Sequence, residues 1–240
     1  MPWNSSDNSP NTFASGHTLQ PVSMASTQTR MDFIRKTYAL FMAGIVTCII
    51  GCAVTVSVQP LFDASVALLR IPLLMFAILI GAVIGASAVS RMEGLNYVGL
   101  FGFTALMGFL FTPFFAIMEQ MFPGILTQAL VLTLLVFGSL TTYAFVTKKD
   151  FSFLGGMLFV GLIALIGGGL LNIFLFKSSA MSYWMSWGTL LIFSGYVLYD
   201  TSRIIHRYDE KSYCSAALAL FLDFFNMFLA LLSILSGGRR

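Results

Sequence analysis

Two aspartates carry the chemistry that this sequence offers. Asp200 closes the apolar run YWMSWGTLLIFSGYVLYD, and Asp223 lies in the middle of CSAALALFLDFFNMFLALLSIL. Both runs have the length and apolarity of membrane-crossing helices. A charged carboxylate at the bilayer centre costs roughly 2.5–3.5 kcal/mol on insertion scales, so such a residue is kept where it meets water, a partner or an ion. Two of them on neighbouring helices can hold a proton or a cation. Close carboxylates cannot both ionise cheaply, and the pair titrates as a unit. A shared proton would hold the two helices together, and its loss leaves two negative charges that repel each other and attract a hard cation. Calcium prefers oxygen ligands, which makes Asp200 and Asp223 candidate calcium contacts. Asn172, Asn226 and backbone carbonyls would add neutral oxygens, in competition with ordinary interhelical hydrogen bonding by the asparagines.

The elements that must position these acids follow from composition. The 240 residues are 58% hydrophobic and only 10% charged, with a mean hydropathy of +0.87. A soluble domain carries about 25% charged residues, so the chain is an integral membrane protein whose first partner is the lipid bilayer. The net charge of +3 is too small to argue for nucleic acid, and none is expected as a partner. Cys48 and Cys52 are one helical turn apart in an apolar run and Cys214 stands alone. Zinc needs more ligands than these supply, and the three read as small packing residues. Residues 1–29 are rich in Ser, Thr, Asn and Pro and poor in aliphatics, which predicts a disordered tail. They lack the basic start and apolar core of a signal peptide.

The remainder, 30–240, reads as one all-α transmembrane domain. Seven runs reach the ~20 residues needed to span hydrocarbon: 36–58, 71–90, 95–118, 125–147, 153–176, 183–206 and 214–236. The breaks between them are short and hold no second domain. Nine of the 13 basic residues (Arg30, Arg35, Lys36, Arg91, Lys148, Lys149, Arg203, Arg207, Lys211) fall on the side of the N-terminus and four on the other. The positive-inside rule then predicts a cytoplasmic N-terminus and an external C-terminus.

If the last two runs form a hairpin turning near Asp209–Tyr213, both carboxyls lie ~13–15 Å from the turn and at matching depth. Ala216, Ala219, Asp223, Asn226, Ala230 and Ser233 recur at spacings of three and four, which makes one small, polar face amid Leu and Phe. Small residues let a neighbouring backbone approach, so the last helix is expected at the bundle centre with Asp223 and Asn226 inward. Arg203 and Arg207 follow Asp200 at i+3 and i+7. Either could neutralise Asp200 or snorkel to the headgroups. The 24 phenylalanines are expected mainly to face lipid.

The blocks FVTKKDFSFLGG (145–156), GYVLYDTSRI (195–204) and LALFLDFFNMFLALLSIL (218–235) resemble the Bax inhibitor-1, or transmembrane Bax-inhibitor-motif, family over roughly residues 31–238. The resemblance implies a seven-helix bundle with a central last helix. It also implies a pH-dependent calcium leak, with no resident cofactor and calcium as the transported ion. The family's paired aspartates, a pH sensor and gate on the cytoplasmic side, match Asp200 and Asp223. The short Arg239-Arg240 ending is more similar to bacterial members, and the resemblance therefore implies a bacterial inner membrane as the expected location. Some bacterial members pair an arginine at the end of the second span with the sixth-span aspartate. Arg91 falls beside that position, leaving Arg203 as a substitute.

Other function classes fit less well. Tyr199-Asp200 resembles half of an intramembrane aspartyl protease signature, but no Gly-x-Gly-Asp accompanies Asp223. No Gly-x-Ser-x-Gly elbow is present, and the last run holds no lysine for retinal. An enzyme is therefore not expected. A proton-coupled transporter would use the same acids and the flexible Gly167-Gly168-Gly169, although the two halves show no internal repeat. A non-conducting regulatory subunit is a third alternative.

Overall fold

The computed structural model describes residues 26–90, 92 and 94–238, and within them the chain is all-α. In chain order the helices are α1 Thr27–Ser57, α2 Gln59–Leu69, α3 Pro72–Val89, α4 Asn96–Met121, α5 Ile125–Thr147, α6 Gly155–Leu171, α7 Ser179–His206 and α8 Tyr213–Gly237. A short 3-10 turn, Ser152–Leu154, leads into α6, and a π-helical turn, Asn172–Phe176, leaves it.

Ser26 starts α1, its hydroxyl oxygen accepting the N–H of Thr29 at 3.2 Å, so Thr27–Thr29 belong to a helix and not to the expected tail. Residues 1–25 lie outside the described residues. The break after the first run also holds more than a turn. Pro60 in the first turn of α2 supplies a pre-set φ without losing a helical hydrogen bond, and 11 residues follow as helix. That gives α2 a length of about 16 Å, too short to cross a membrane.

Among the described residues, six segments are long and apolar enough to cross: α1, α3, α4, α5, Ser152–Phe176 with α6 at its centre, and α8. At 28 residues α7 is as long, but its serines, tyrosines and tryptophans dilute its apolar run. Many hydroxyls inside the spans are satisfied locally, by the carbonyl one turn back, as an apolar medium favours. Along α5, Thr133, Ser139, Thr142 and Thr147 each donate to the carbonyl one turn back, at 2.7–2.8 Å. Glu119 at the end of α4 accepts the N–H groups of Gly124 (2.6 Å) and Leu126 (3.3 Å) across the turn into α5. Gly124 takes the left-handed conformation there, with φ +79°.

The packing is uneven. α8 touches α1, α4, α5 and α7, whereas α6 packs on α7 and α3 on α4 and α2. α8 has the largest buried share of the membrane-capable segments and α3 the smallest. α1 and α4 approach to backbone contact, because a side chain on Gly108 would collide with the carbonyl of Cys48, and one on Gly51 would lie 2.7 Å from the carbonyl oxygen of Ala105. The phenylalanines do not chiefly face lipid. Phe41, Phe137 and Phe224 enclose one another with centroids 5.1–5.7 Å apart, while Phe103 meets Phe221 and Phe111 meets Phe225. Edge-to-face ring pairs add attraction beyond area burial, and they concentrate around α8. All three cysteines are free thiols.

Candidate functional site

α7 and α8 run antiparallel in close contact. The ring of Tyr183 lies against Gly237, and Ser186 donates to Ser233 at 2.7 Å. The small, polar face of α8 is thus the face that meets α7, at least at Ser233. Carrying this register along the pair sets Asp200 opposite residues 219–220. Asp223 then sits about one helical turn, ~5 Å, farther from the α7–α8 connection. The two acids share one half of the bundle but are staggered, not level, because α7 ends at His206 and the connection takes up more chain than a tight turn at Asp209 would.

Asp200 is 6% exposed and Asp223 3%, and the charge of Asp200 is felt at Asp223. Their partners differ. Arg203 Nη1 lies 3.2 Å from Asp200 Oδ1, and its guanidinium stacks over Tyr199 and Tyr208, 5.3 and 4.9 Å from their centroids. Among the described residues no ion pair reaches Asp223, and its Oδ2 is buried without a hydrogen bond. The hydroxyls of Thr37 and Thr141 are buried and unpartnered too. A buried oxygen without a partner carries its full desolvation cost, about 1–3 kcal/mol or more for a charged group. Tyr38, Tyr196 and Tyr208 lie within electrostatic reach of Asp223, and Tyr38 Oη is 3.5 Å from Thr201 Oγ1.

The other expected residues go elsewhere. Arg207 turns away from Asp200 and reaches Asp150 Oδ2 at 3.2 Å and Ser152 Oγ at 2.7 Å. Asp150 also accepts the Ser152 N–H, while Ser202 Oγ accepts the N–H of Phe151, each at 2.9 Å. The KKDFS segment is therefore docked on the end of α7. Its ties hold the Asp150 carboxyl at about 2, below its ordinary value of 3.8, first through the Ser152 N–H and then through the Ser152 hydroxyl and Arg207. Asn226 donates to the carbonyl of Leu222 on its own helix at 2.8 Å. Asn172 donates to Ser178 O (3.1 Å) and Ser182 Oγ (2.7 Å) and accepts the Ser178 N–H (3.0 Å). It ties the π turn to Ser178 and Ser182 at the start of α7, about 27–33 Å along that helix from Asp200. Arg91 lies outside the described residues.

Tyr38, Thr201, Ser202 and Tyr208 were not anticipated. A hydroxyl in an apolar run was the available signal, but runs of this kind hold many hydroxyls and only the packing selects these. A cavity of about 920 Å³ opens at the α7–α8 connection. Arg203 lies on its wall, and Ala219 and Leu222 line it one turn and one residue before Asp223. A second, apolar cavity of about 760 Å³ abuts Phe221, Phe224 and Phe225. In sequence Asp223 falls between Leu222, on the wall of the first cavity, and Phe224, on the wall of the second.

Residues 30–240 match the family model described as "Inhibitor of apoptosis-promoting Bax1". The chain belongs to the Bax inhibitor-1 family. An uncharacterised membrane protein of Vibrio cholerae is 37% identical over 207 residues, covering 84% of this chain and 87% of that protein. The protein named Bax inhibitor 1 in Schizosaccharomyces pombe is 33% identical over 224 residues, 90% of this chain and 80% of its own length. A vaccinia virus Golgi anti-apoptotic protein is 33% identical over 223 residues, 91% of each. As a Bax inhibitor-1-type protein with six membrane-capable helical segments, this chain is a multi-pass integral membrane protein. In it, the three blocks that resemble the family meet at one end of α7: the KKDFS loop, the Tyr199-Asp200 pair and the Asp223 segment.

Proposed function

We propose that this Bax inhibitor-1 family protein lets calcium pass down its gradient through the bundle, with passage set by protonation of Asp200 and Asp223. The observation that carries the proposal is the burial of both acids on adjacent helices, with Asp223 Oδ2 left unpartnered. When the pair holds a proton, α7 and α8 stay together. When it loses that proton, two like charges in a low-dielectric site repel each other and favour a hard cation. Arg203 moderates this by pairing with Asp200, and its release is the step that frees the second carboxylate. Asn172 is not needed as an ion contact, since its amide oxygen already accepts the Ser178 N–H, whereas Asn226 spends its N–H on Leu222 O and can offer its amide oxygen as a neutral ligand. Calcium and protons act as cargo and signal, and no chemistry is catalysed.

Seven spans fit this reading, α7 being the seventh and α8 the centre. The contacts of α7 with α8 at Tyr183 and Ser186, with the charge of Asp200 reaching Asp223 farther along, support counting it as a span. The surplus of basic residues at the α7–α8 connection supports a cytoplasmic N-terminus and an external C-terminus, in a bacterial inner membrane.

The test is calcium flux in liposomes with an internal calcium indicator, at pH 6 and pH 8. Wild type is expected to leak downhill with a clear pH response, and Asp200→Asn and Asp223→Asn to flatten it. Equal fluxes at both pH values in wild type, or an unchanged response in both variants, rule the proposal out. Uptake against the calcium gradient, driven by a proton gradient, would point instead to a coupled transporter.

A further inference from the structure

The cavity at the α7–α8 connection is too basic for a simple cation mouth. Among the described residues that line it, Arg203, Arg207 and Lys211 are basic and Asp209 is acidic. Arg203 spends Nη1 on Asp200, and Arg207 spends Nη2 on Asp150 and Ser152. A guanidinium has further N–H donors in a planar fork, a geometry that matches phosphate or carboxylate oxygens. The head groups are partly open to the cavity side, with the side chains of Arg203 and Arg207 37% and 57% exposed.

The backbone adds to this charge. α4 and α8 both begin at the cavity, through Asn96–Tyr97 and Tyr213. Neither helix has an acidic residue in its first turn or a side chain capping it from the N-cap position. At α4 the Asn96 and Tyr97 N–H groups are already taken, by Met92 O and Asn96 Oδ1, so the helix ends contribute mainly the partial positive charge of their dipoles to this space. Ser90 and Ser215, bonded to each other at 2.8 Å, put hydroxyls on the wall.

We propose that this cavity binds a phosphate group, held by Arg203, Arg207 and Lys211. Its volume of about 920 Å³ accommodates a phosphate ester with its water, whether a phospholipid headgroup or a soluble phosphate. Occupancy has a consequence that rests on the reading of Asp200 and Asp223 given above. The anion competes with Asp200 for the Arg203 guanidinium, and it neutralises a positive mouth that otherwise repels an approaching cation. The binding itself does not depend on that reading.

Binding is therefore measured without flux, so that its failure leaves the aspartate proposal standing. Full-length protein in phosphatidylcholine nanodiscs is titrated calorimetrically with inorganic phosphate. In parallel, protein from mixed phosphatidylcholine and phosphatidylglycerol nanodiscs is examined by native mass spectrometry for retained phosphatidylglycerol. Arg207→Gln with Lys211→Gln is expected to weaken whichever ligand binds by at least about tenfold, and Arg207→Lys with Lys211→Arg to restore most of it. Binding in the first arm alone identifies a soluble phosphate, and in the second alone a lipid headgroup. No saturable binding in either arm, or equal binding by the glutamine variant with its helical melting unchanged, overturns the proposal.

Discussion

Arg203 grips Asp200 at 3.2 Å, while Asp223, no less buried on the facing helix, has no cation within ion-pair distance among the described residues. The two acids of the pair are therefore unequal. One is anchored and the other is held in place by its surroundings alone.

Removing the anchor should cost more than removing the unpartnered acid. Arg203→Gln leaves a buried carboxylate without its counter-charge and should destabilise by about 1–3 kcal/mol. That is less than the full cost of breaking a buried pair, because the guanidinium is 37% exposed. Asp200→Asn combined with Arg203→Gln should recover part of the loss. Thermal unfolding of the single and double variants in one detergent provides the cycle, and strict additivity would show that the pair contributes nothing.

Asp223→Asn should leave stability unchanged or raise it by up to about 2 kcal/mol. It replaces a group whose Oδ2 lacks a partner with a neutral one of the same shape. In flux assays the same variant should lose its pH response. A variant that unfolds at a clearly lower temperature than wild type would mean that Asp223 holds a partner essential to the bundle.

The docked KKDFS loop should loosen in acid. A carboxyl held below its unfolded value contributes stability that is fully present above that value and is lost as pH falls through the folded one. For Asp150 the window runs from the ordinary value of 3.8 down to about 2. Amide protection at residues 150–154, taken as exchange relative to the intrinsic rate at each pH, should therefore fall across that window, and Asp150→Asn should remove that fall. Acid-insensitive protection in wild type would sever the loop from this ion pair.

Gly108→Ala should destabilise by about 1–3 kcal/mol through overpacking, since the added methyl meets the Cys48 backbone. Gly102→Ala on the same helix, where the space is open, is the control and should be near neutral. Equal melting temperatures for the two variants would mean that α1 and α4 pack less closely than described.

Deletion of residues 1–25 should leave insertion intact, whereas extending the cut through Thr29 removes the Ser26 cap and should cost about 1 kcal/mol in α1. Protease protection of the inserted chain, together with its melting temperature, reads both effects. Loss of insertion on the shorter deletion would assign the tail a role in targeting.

Much of the fold was legible along the chain, because an apolar medium imposes length and composition on whatever crosses it. The run 125–147 coincides with α5, and 214–236 differs from α8 by one residue at each end. Turn residues that no apolar run displays were less legible. α2 hid in a stretch read as a break, since a short helix packed against others needs no spanning hydropathy. Lys148 closes α5 in the left-handed conformation, with φ 52°, which its type does not announce.

The acids were visible for the same reason, as charges are costly in hydrocarbon and few apolar runs contain one. Their relation was not. Sequence spacing put Asp200 and Asp223 level, whereas the contacts Tyr183–Gly237 and Ser186–Ser233 set a register that staggers them by a turn. It also left both arginines as partners for Asp200, and the docking of Asp150 and Ser152 at the end of α7 claims Arg207 and leaves Arg203. Residue type and hydropathy depend on each position and its near neighbours, so the chain by itself determined which groups enter the membrane. Pairing depends on the register between helices distant in sequence, which side-chain packing sets, so only the tertiary structure decided which groups meet.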